Sequence, residues 1–531
     1  MPADLALVDV RIRTLDPERP FASAIAVKDG LIVAVGDTDE VRDACDASTQ
    51  VLSGSGWNVT PGLVDGHQHL LMGAQLGRGI NFDRVKSLDE VRRLLREERE
   101  RVGPDGWVRG WAFEYAALGG LAYHHELIDE AAGPGPMFFI SLDVHTGFAN
   151  GEALRRAGIT GSRQFADGSI VVLDDSGRPS GQLAEMSAMQ LVMEQIPEPT
   201  EDELTSWYVD VMRAQNAVGI TGIHNMDGDR GTIDTYAALE AADLLTLRIR
   251  QHNWVGPGDD EDTLADIASR RDLRGRLWTA NSLKFMIDGV IDTGTAWMEE
   301  PDSHGDGCDP MWPEIEHYRR TIKRFHDAGF HITTHAIGDR AVREVLDAYA
   351  AAGGSNGRHR IEHIEAPSPE SQARFAREKV NASMQPVHLR WLNPDMSDPW
   401  SERLGVHKCA HTMPSGDIAT LGANVVLGSD WPVAPYDPRF GFFAAQKRRA
   451  HDVDDPRPLG TSRAFNGLET LEGYTVNAAK VDGGSGGVLR VGAPADLVAW
   501  GADITEVVPE DVIELPVHLT VVDGRVVHQA D

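Results

Sequence analysis

Two histidines, His67 and His69, stand two apart at the end of a short apolar run, in Val59-Thr60-Pro61-Gly62-Leu63-Val64-Asp65-Gly66-His67-Gln68-His69. Side chains alternate faces in extended backbone, so residues i and i+2 point the same way. Two neutral imidazoles converging on one point suit a borderline divalent metal such as zinc, with Zn–N near ~2.0–2.1 Å. An isolated H-x-H also fits a plain strand end, so further ligands must come from elsewhere. Four residues qualify: Lys284 in Ser282-Leu283-Lys284-Phe285-Met286-Ile287, His335 in Thr333-Thr334-His335-Ala336-Ile337-Gly338-Asp339, His363 in Arg360-Ile361-Glu362-His363, and Asp430 in Ser429-Asp430-Trp431-Pro432. A lysine inside an apolar strand is costly unless paired or modified. A salt bridge to Asp288 or Asp292 is the plain solution, and modification of the amine is the other.

The elements that must bring these groups together can be read from periodicity. Strand-like segments end near 67 and then occupy 219–224, 247–252, 282–287, 330–335, 358–363, 380–385 and 424–429, with helical stretches between most of them. Strands alternating with helices imply parallel βαβ units. Eight such units predict an α/β fold of the (β/α)8 TIM-barrel type, whose active site lies at the C-terminal strand ends. The candidate ligands fall on strand one (His67, His69), strand four (Lys284), strand five (His335), strand six (His363) and strand eight (Asp430).

The flanks differ from this repeat. Residues 1–57 and 484–531 read as short strands and hairpin turns, too few in either segment to hide a sheet face. They are expected to pair in one small β-sandwich domain beside a barrel of residues 58–483. Residues from about 105 to 199 lose regular alternation and read as an insertion after strand one.

Composition narrows the partners. The chain has 531 residues with a formal net charge of −32, which argues against nucleic acid, since a phosphate backbone needs a basic surface. Its cysteines, Cys45, Cys308 and Cys409, are odd in number and imply no disulfide framework. No signal-peptide pattern and no membrane-spanning run is read, so a cytoplasmic location and a small-molecule substrate are the expectation. A homodimeric assembly stays open.

The pattern H-x-H, Lys, His, His, Asp on a barrel with paired β-ends resembles the metal-dependent amidohydrolase superfamily. The phrases His335-Ala336-Ile337-Gly338-Asp339-Arg340, Arg360-Ile361-Glu362-His363, Ser429-Asp430-Trp431-Pro432, Ser141-Leu142-Asp143-Val144-His145 and Lys284-Phe285-Met286-Ile287-Asp288-Gly289 are similar to its family 3 branch. That branch includes N-substituted formamide deformylases and exoenzyme-regulatory-type proteins. The resemblance implies one or two divalent ions, zinc first among them. His67 and His69 would hold one ion, His335 and His363 the second, and a carbamate on Lys284 would bridge them. Asp430 would ligate the first ion and carry protons. The implied reaction is hydrolysis of a carbon–nitrogen, amide-type bond by a metal-bound hydroxide, on an N-substituted formamide or another N-acyl compound.

Alternatives remain at this stage. The same set would serve a cyclic amide, a carbamate, an ester or a ring deamination, and a non-catalytic metal-binding regulator is the reading from another class. A one-metal site, or one using Glu185, is also open. His145, His224, His252 and His388 are candidate substrate contacts, each with a structural role as the plainer reading. Trp111, Trp297, Trp391 and Trp431 are candidate pocket walls, with Trp431 favoured because it adjoins Asp430.

Overall fold

The computed structural model describes residues 2–141, 146–165, 169–453, 455–481, 483–484 and 486–530. The chain divides into two compact units, one of Met1–Leu70 with Val209–Asp531, the other of Leu71–Tyr208.

The first unit is built on eight strands: β1 (Leu63–Gln68), β2 (Ile220–Asn225), β3 (Arg248–Trp254), β4 (Trp278–Met286), β5 (His331–Ala336), β6 (Arg360–His363), β7 (Asn381–Met384) and β8 (Val425–Leu427). They form one sheet in the order β8 to β1, every neighbouring pair parallel. Its two edges meet at their C-terminal ends. His69 N–H donates to the Trp431 carbonyl and Asp430 N–H to the His67 carbonyl, each at 2.7 Å. Glycine permits that approach: a Cβ on Gly66 would lie 2.4 Å from the Val426 side chain, and one on Gly428 would lie 2.5 Å from His67 N. This is the (β/α)8 barrel expected from the alternation of strands and helices.

The helices cover the barrel with stripes at helical spacing. Ile315–Asp327 buries Tyr318, Ile322 and Phe325, and Asp339–Ala352 buries Val342, Val345, Leu346 and Tyr349. These i, i+3, i+4, i+7 stripes pack with Leu283, Phe285, Ile332 and Ile361 of the strands in one core. Each such side chain contributes about 1.5–3 kcal/mol on burial.

The two chain ends come together beside the barrel. One sheet holds Leu31–Gly36, Ala24–Lys28, Leu5–Val8 and Gln50–Ser53 in that order. A second holds Arg525–Gln529, Val517–Val522, Leu497–Trp500, Asn58–Pro61, Arg11–Arg13 and Phe21–Ala22. N- and C-terminal strands thus share a sheet. Leu5 and Leu7 face a core with Ile12, Leu497, Leu519 and Val521, while Ala6 and Val8 face Val41 on the other side. That is the two-residue alternation of a strand buried on both faces.

The second unit carries its own six-stranded sheet, ordered Ile170–Leu173, Pro179–Ala184, Thr146–Ala149, Met137–Ser141, Val108–Phe113 and Ile80–Asn81. Its helix Leu88–Val102 is capped by Ser87, whose hydroxyl accepts from Glu90 N–H. The helix packs Val91 and Leu95 against Phe82, Phe113 and Phe139. The unit is wider than the 105–199 stretch read as an insertion, because this helix belongs to it. Among the described residues no helix is long and apolar enough to cross a membrane.

Candidate metal centre

The strand ends gather the ionisable groups at one mouth of the barrel. His67, 0% exposed at the end of β1, sits between two carboxylates. Its Nδ1 is 2.6 Å from Glu362 Oε2 and its Nε2 is 3.3 Å from Asp430 Oδ1. His69 Nε2 is also 3.3 Å from Asp430 Oδ1. His363 Nδ1 and His388 Nε2 approach Asp430 Oδ2 at 4.0 and 3.7 Å. The imidazole rings of His67 and His363 lie 4.8 Å apart, and those of His363 and His335 4.4 Å. One ligand atom each from His67, His363 and Asp430 can be chosen so that all lie within 4.8 Å of one another.

Electrostatics favour the forms that bind cations. Burial and the Lys284 charge hold His67 and His335 below the usual imidazole range, His335 down to about 3. Burial and the neighbouring imidazoles push His363 well below that range. Asp430 resists its burial because His67, His69 and His363 surround it, so its carboxyl lies well below the ordinary value. Burial thus favours the neutral forms of His67, His335 and His363, the forms that metal ligation requires.

The geometry around His67 tests the fit of a metal directly. A carboxylate only accepts hydrogen bonds, so the neutral ring places its proton on Nδ1, toward Glu362. Nε2 then carries a bare lone pair, has no hydrogen-bond partner among the described residues, and faces Asp430 Oδ1 at 3.3 Å. Two lone pairs facing each other in a buried site repel unless a cation lies between them. The donor set, imidazoles with one carboxylate, suits zinc.

His335 and Lys284 complete the mouth. His335 Nε2 donates to the Gly289 carbonyl at 3.0 Å, so Nδ1 is the ring nitrogen that could hold a metal. Lys284 is 2% exposed, and burial brings its amine down to about 8 against the opposing pull of Glu362 and Asp430. The salt bridge to Asp288 or Asp292 that the sequence left open is not formed. Asp288 instead accepts backbone N–H groups of Trp297, Ile337 and Gly338 at 2.8, 3.1 and 2.9 Å.

Two of these residues hold uncommon backbone. His363 has φ 70° and Asp430 φ 63°, in the left-handed region that costs a non-glycine residue about 1–3 kcal/mol. Neighbouring strands hold them there, through Ile364 N–H on the Ala336 carbonyl and Asp430 N–H on the His67 carbonyl. Below the mouth, Asp65 accepts from His67 N–H and from Ser429, tying β1 to β8.

The remaining candidates are spread more widely. His388 joins the site and lies tilted beside Trp391, ring centroids 4.5 Å apart. A small cavity beside them is lined by His363, Glu365, Gln385, His388, Met413 and Arg448. Gln385 is 4% exposed there, and among the described residues neither its Nε2 nor its Oε1 has a hydrogen-bond partner. Trp431 is buried next to Asp430, its ring against Tyr436. His224 and His252 are 1% exposed inside the barrel; His224 Nδ1 lies 2.6 Å from Arg360 Nη1, and His252 Nδ1 faces the Asn225 carbonyl. Trp297 is buried under the Arg340 guanidinium, 4.7 Å from its ring centroid. Trp111 and Glu185 belong to the Leu71–Tyr208 unit, and His145 lies outside the described residues. Sequence reasoning assigned nothing to Glu362, Arg360 and Asp65. The available signal was charge at i and i+2 of a strand that must be buried, which puts Arg360 and Glu362 on one face.

With fold and site in view, comparison with known proteins is direct. Residues 50–528 match the Amidohydrolase family, and the chain belongs to it. As a member of that family it is a hydrolase of the amidohydrolase type. It is 26% identical to an N-substituted formamide deformylase of Arthrobacter pascens, over 98% of this chain and 97% of that protein. It is 27% identical to Protein LONG AFTER FAR-RED 3 of Arabidopsis thaliana, over 84% of this chain and 78% of that one. The crystal structure of an uncharacterized metal-dependent hydrolase from Pyrococcus horikoshii shares the fold, with a TM-score of 0.76, 20% identity, and coverage of 95% of this chain and 99% of that one.

Proposed function

We propose that this chain hydrolyses the carbon–nitrogen bond of a small N-acyl amine, an N-substituted formamide first among them. The observation that carries this reading is His67 Nε2 facing Asp430 Oδ1 at 3.3 Å, with His69, His363 and His388 gathered round the same carboxylate. The likeness to the Arthrobacter pascens deformylase over nearly the whole chain supports the substrate class.

Zinc is the proposed metal, held by His67, His69 and Asp430, with His335 and His363 for a second ion. When bound, it lowers the pKa of water to about 7 and polarises a carbonyl. Lys284 is proposed as the bridge: its neutral amine adds to the carbon of CO2 and releases a proton, leaving an anionic carbamate. Asp430 accepts the proton of the attacking water and returns it to the leaving nitrogen, without which an amine is expelled poorly. The unpartnered Gln385 amide offers a donor and an acceptor to the substrate amide.

The test is turnover by zinc-loaded protein of a panel of N-alkylformamides, N-acetyl amines, a cyclic amide, a carbamate, an ester and an aminated ring. Release of formate and amine, fastest for the formamides, is expected. Preference for the ring or ester substrates would move the activity to another reaction on the same site. Tight zinc binding without turnover of any of them would favour a regulatory metal-binding role.

A further inference from the structure

His67 is not a free imidazole waiting for a metal. Its Nδ1 is 2.6 Å from Glu362 Oε2, and the other Glu362 oxygen forms an ion pair at 2.6 Å with Arg360 Nε. The same guanidinium donates from Nη2 to the Gly66 carbonyl at 2.7 Å and lies 2.6 Å from His224 Nδ1 through Nη1. One arginine on β6 therefore grips the backbone of β1 next to His67, a side chain of β2, and the carboxylate that holds the His67 ring. Glu362 and Arg360 are 0% and 1% exposed. Nothing in hydrolysis itself requires this buried pair, and burying an ion pair is at best neutral for stability.

We infer that Arg360 and Glu362 are positioning residues for the metal: they fix His67 in the tautomer whose Nε2 faces Asp430 and set how tightly that side of the site binds. The physical basis is the carboxylate–histidine–metal relay, in which the second ring nitrogen donates to a carboxylate. That bond locks ring orientation and raises the basicity of the ligating nitrogen. A guanidinium suits the task because its planar fork reaches several acceptors at once. With the Arg360 charge beside it, the Glu362 carboxylate stays an acceptor. Were His67 to turn to the other tautomer, its proton would point at Asp430 and the ligand would be lost. The inference rests on the reading of His67 as a ligand.

The experiment is zinc binding by metal-stripped full-length protein, measured by competition with a chromophoric chelator, for wild type, Glu362→Gln, and the double variant Arg360→Met with Glu362→Gln. The double variant removes both charges together, so it avoids leaving one buried charge unpaired. Circular dichroism of each metal-free protein checks its fold. Affinity about 10–100-fold weaker in folded variants is expected. Wild-type affinity in either folded variant would overturn the inference. Absence of zinc binding by the wild type would instead overturn the proposed site. A readout on the wild type needs no folded variant: selective ¹⁵N-histidine labelling of the metal-free protein, with His67→Ala to assign the signal, should give an unprotonated Nε2. A protonated Nε2 on His67 would defeat the inference.

Discussion

Asp65 takes both the backbone N–H and the hydroxyl of Ser429, at 2.9 and 2.5 Å. The two residues immediately underlie His67 and Asp430, so one carboxylate sets the spacing between the first and last barrel strands. Burial pushes this carboxyl up to about 7. Removing the hydroxyl with Ser429→Ala is expected to cost about 1.5–3 kcal/mol, the range for a hydrogen bond to a charged group. Urea denaturation of the metal-free protein near pH 8 measures it. A loss below a few tenths of a kcal/mol would mean that the backbone bond alone holds the closure.

Asp430→Asn separates ligation from proton transfer. The amide keeps shape and an oxygen but carries no proton. Near-normal zinc content, kcat lowered by about 10²–10⁴ and little change in KM are expected. Metal analysis with steady-state kinetics decides. A variant turning over at the wild-type rate would remove Asp430 from the chemistry and direct attention to His388.

Lys284→Ala is expected to lose metal and activity together if the lysine becomes a carbamate. In wild type, ¹³C-bicarbonate should give a carbamate carbon resonance that Lys284→Ala lacks. A zinc-loaded, active protein without that resonance would leave the bridge unformed and favour a one-metal site.

Acid sensitivity should trace partly to His359, a buried imidazole with no part in the proposed metal set. It is 0% exposed, accepts Ile332 N–H on Nδ1 and meets His326 across 2.8 Å. Burial first, then the charges of His326 and Arg358, hold it down to about 2. An unfolded imidazole titrates near ~6.5, so below that pH the unfolded chain binds a proton that the folded chain refuses. The contribution is complete above ~6.5 and falls by about 1.4 kcal/mol per pH unit below it. His359→Gln should flatten the slope of stability against pH between 6 and 4 by about one proton's worth. An unchanged slope in urea titrations across that range would show that His359 protonates in place.

The sequence disclosed the barrel because strand and helix periodicities differ, and strand five, expected at 330–335, lies at His331–Ala336. His67 and His69 were legible because spacing of two fixes a shared direction. Glu362 was not, since its partner His67 is 295 residues away and local pattern carries no such pairing. The left-handed backbone at His363 and Asp430 opposes their local preference and exists only because neighbouring strands impose it. The helix Leu88–Val102 packs on the sheet of the Leu71–Tyr208 unit, which periodicity does not disclose. An amphipathic stripe looks the same whether it covers a barrel or packs on a separate sheet.

The sheet shared by the two chain ends governs the order in which the site can be assembled. Trp500 donates its indole N–H to Thr60 Oγ1 at 3.0 Å, across 440 residues of sequence, and Leu497–Trp500 runs antiparallel to Asn58–Pro61, the strand that leads into His67. On a ribosome adding ~5–20 residues per second, the strand before His67 waits roughly 20–90 s for that partner. For all of that time it presents an unpaired edge, the kind of surface on which chains aggregate. Asp430 arrives almost as late. The nascent chain therefore carries His67 and His69 long before the strands that complete the barrel mouth exist, and truncation within the last few dozen residues should leave an aggregating barrel in place of an inactive one.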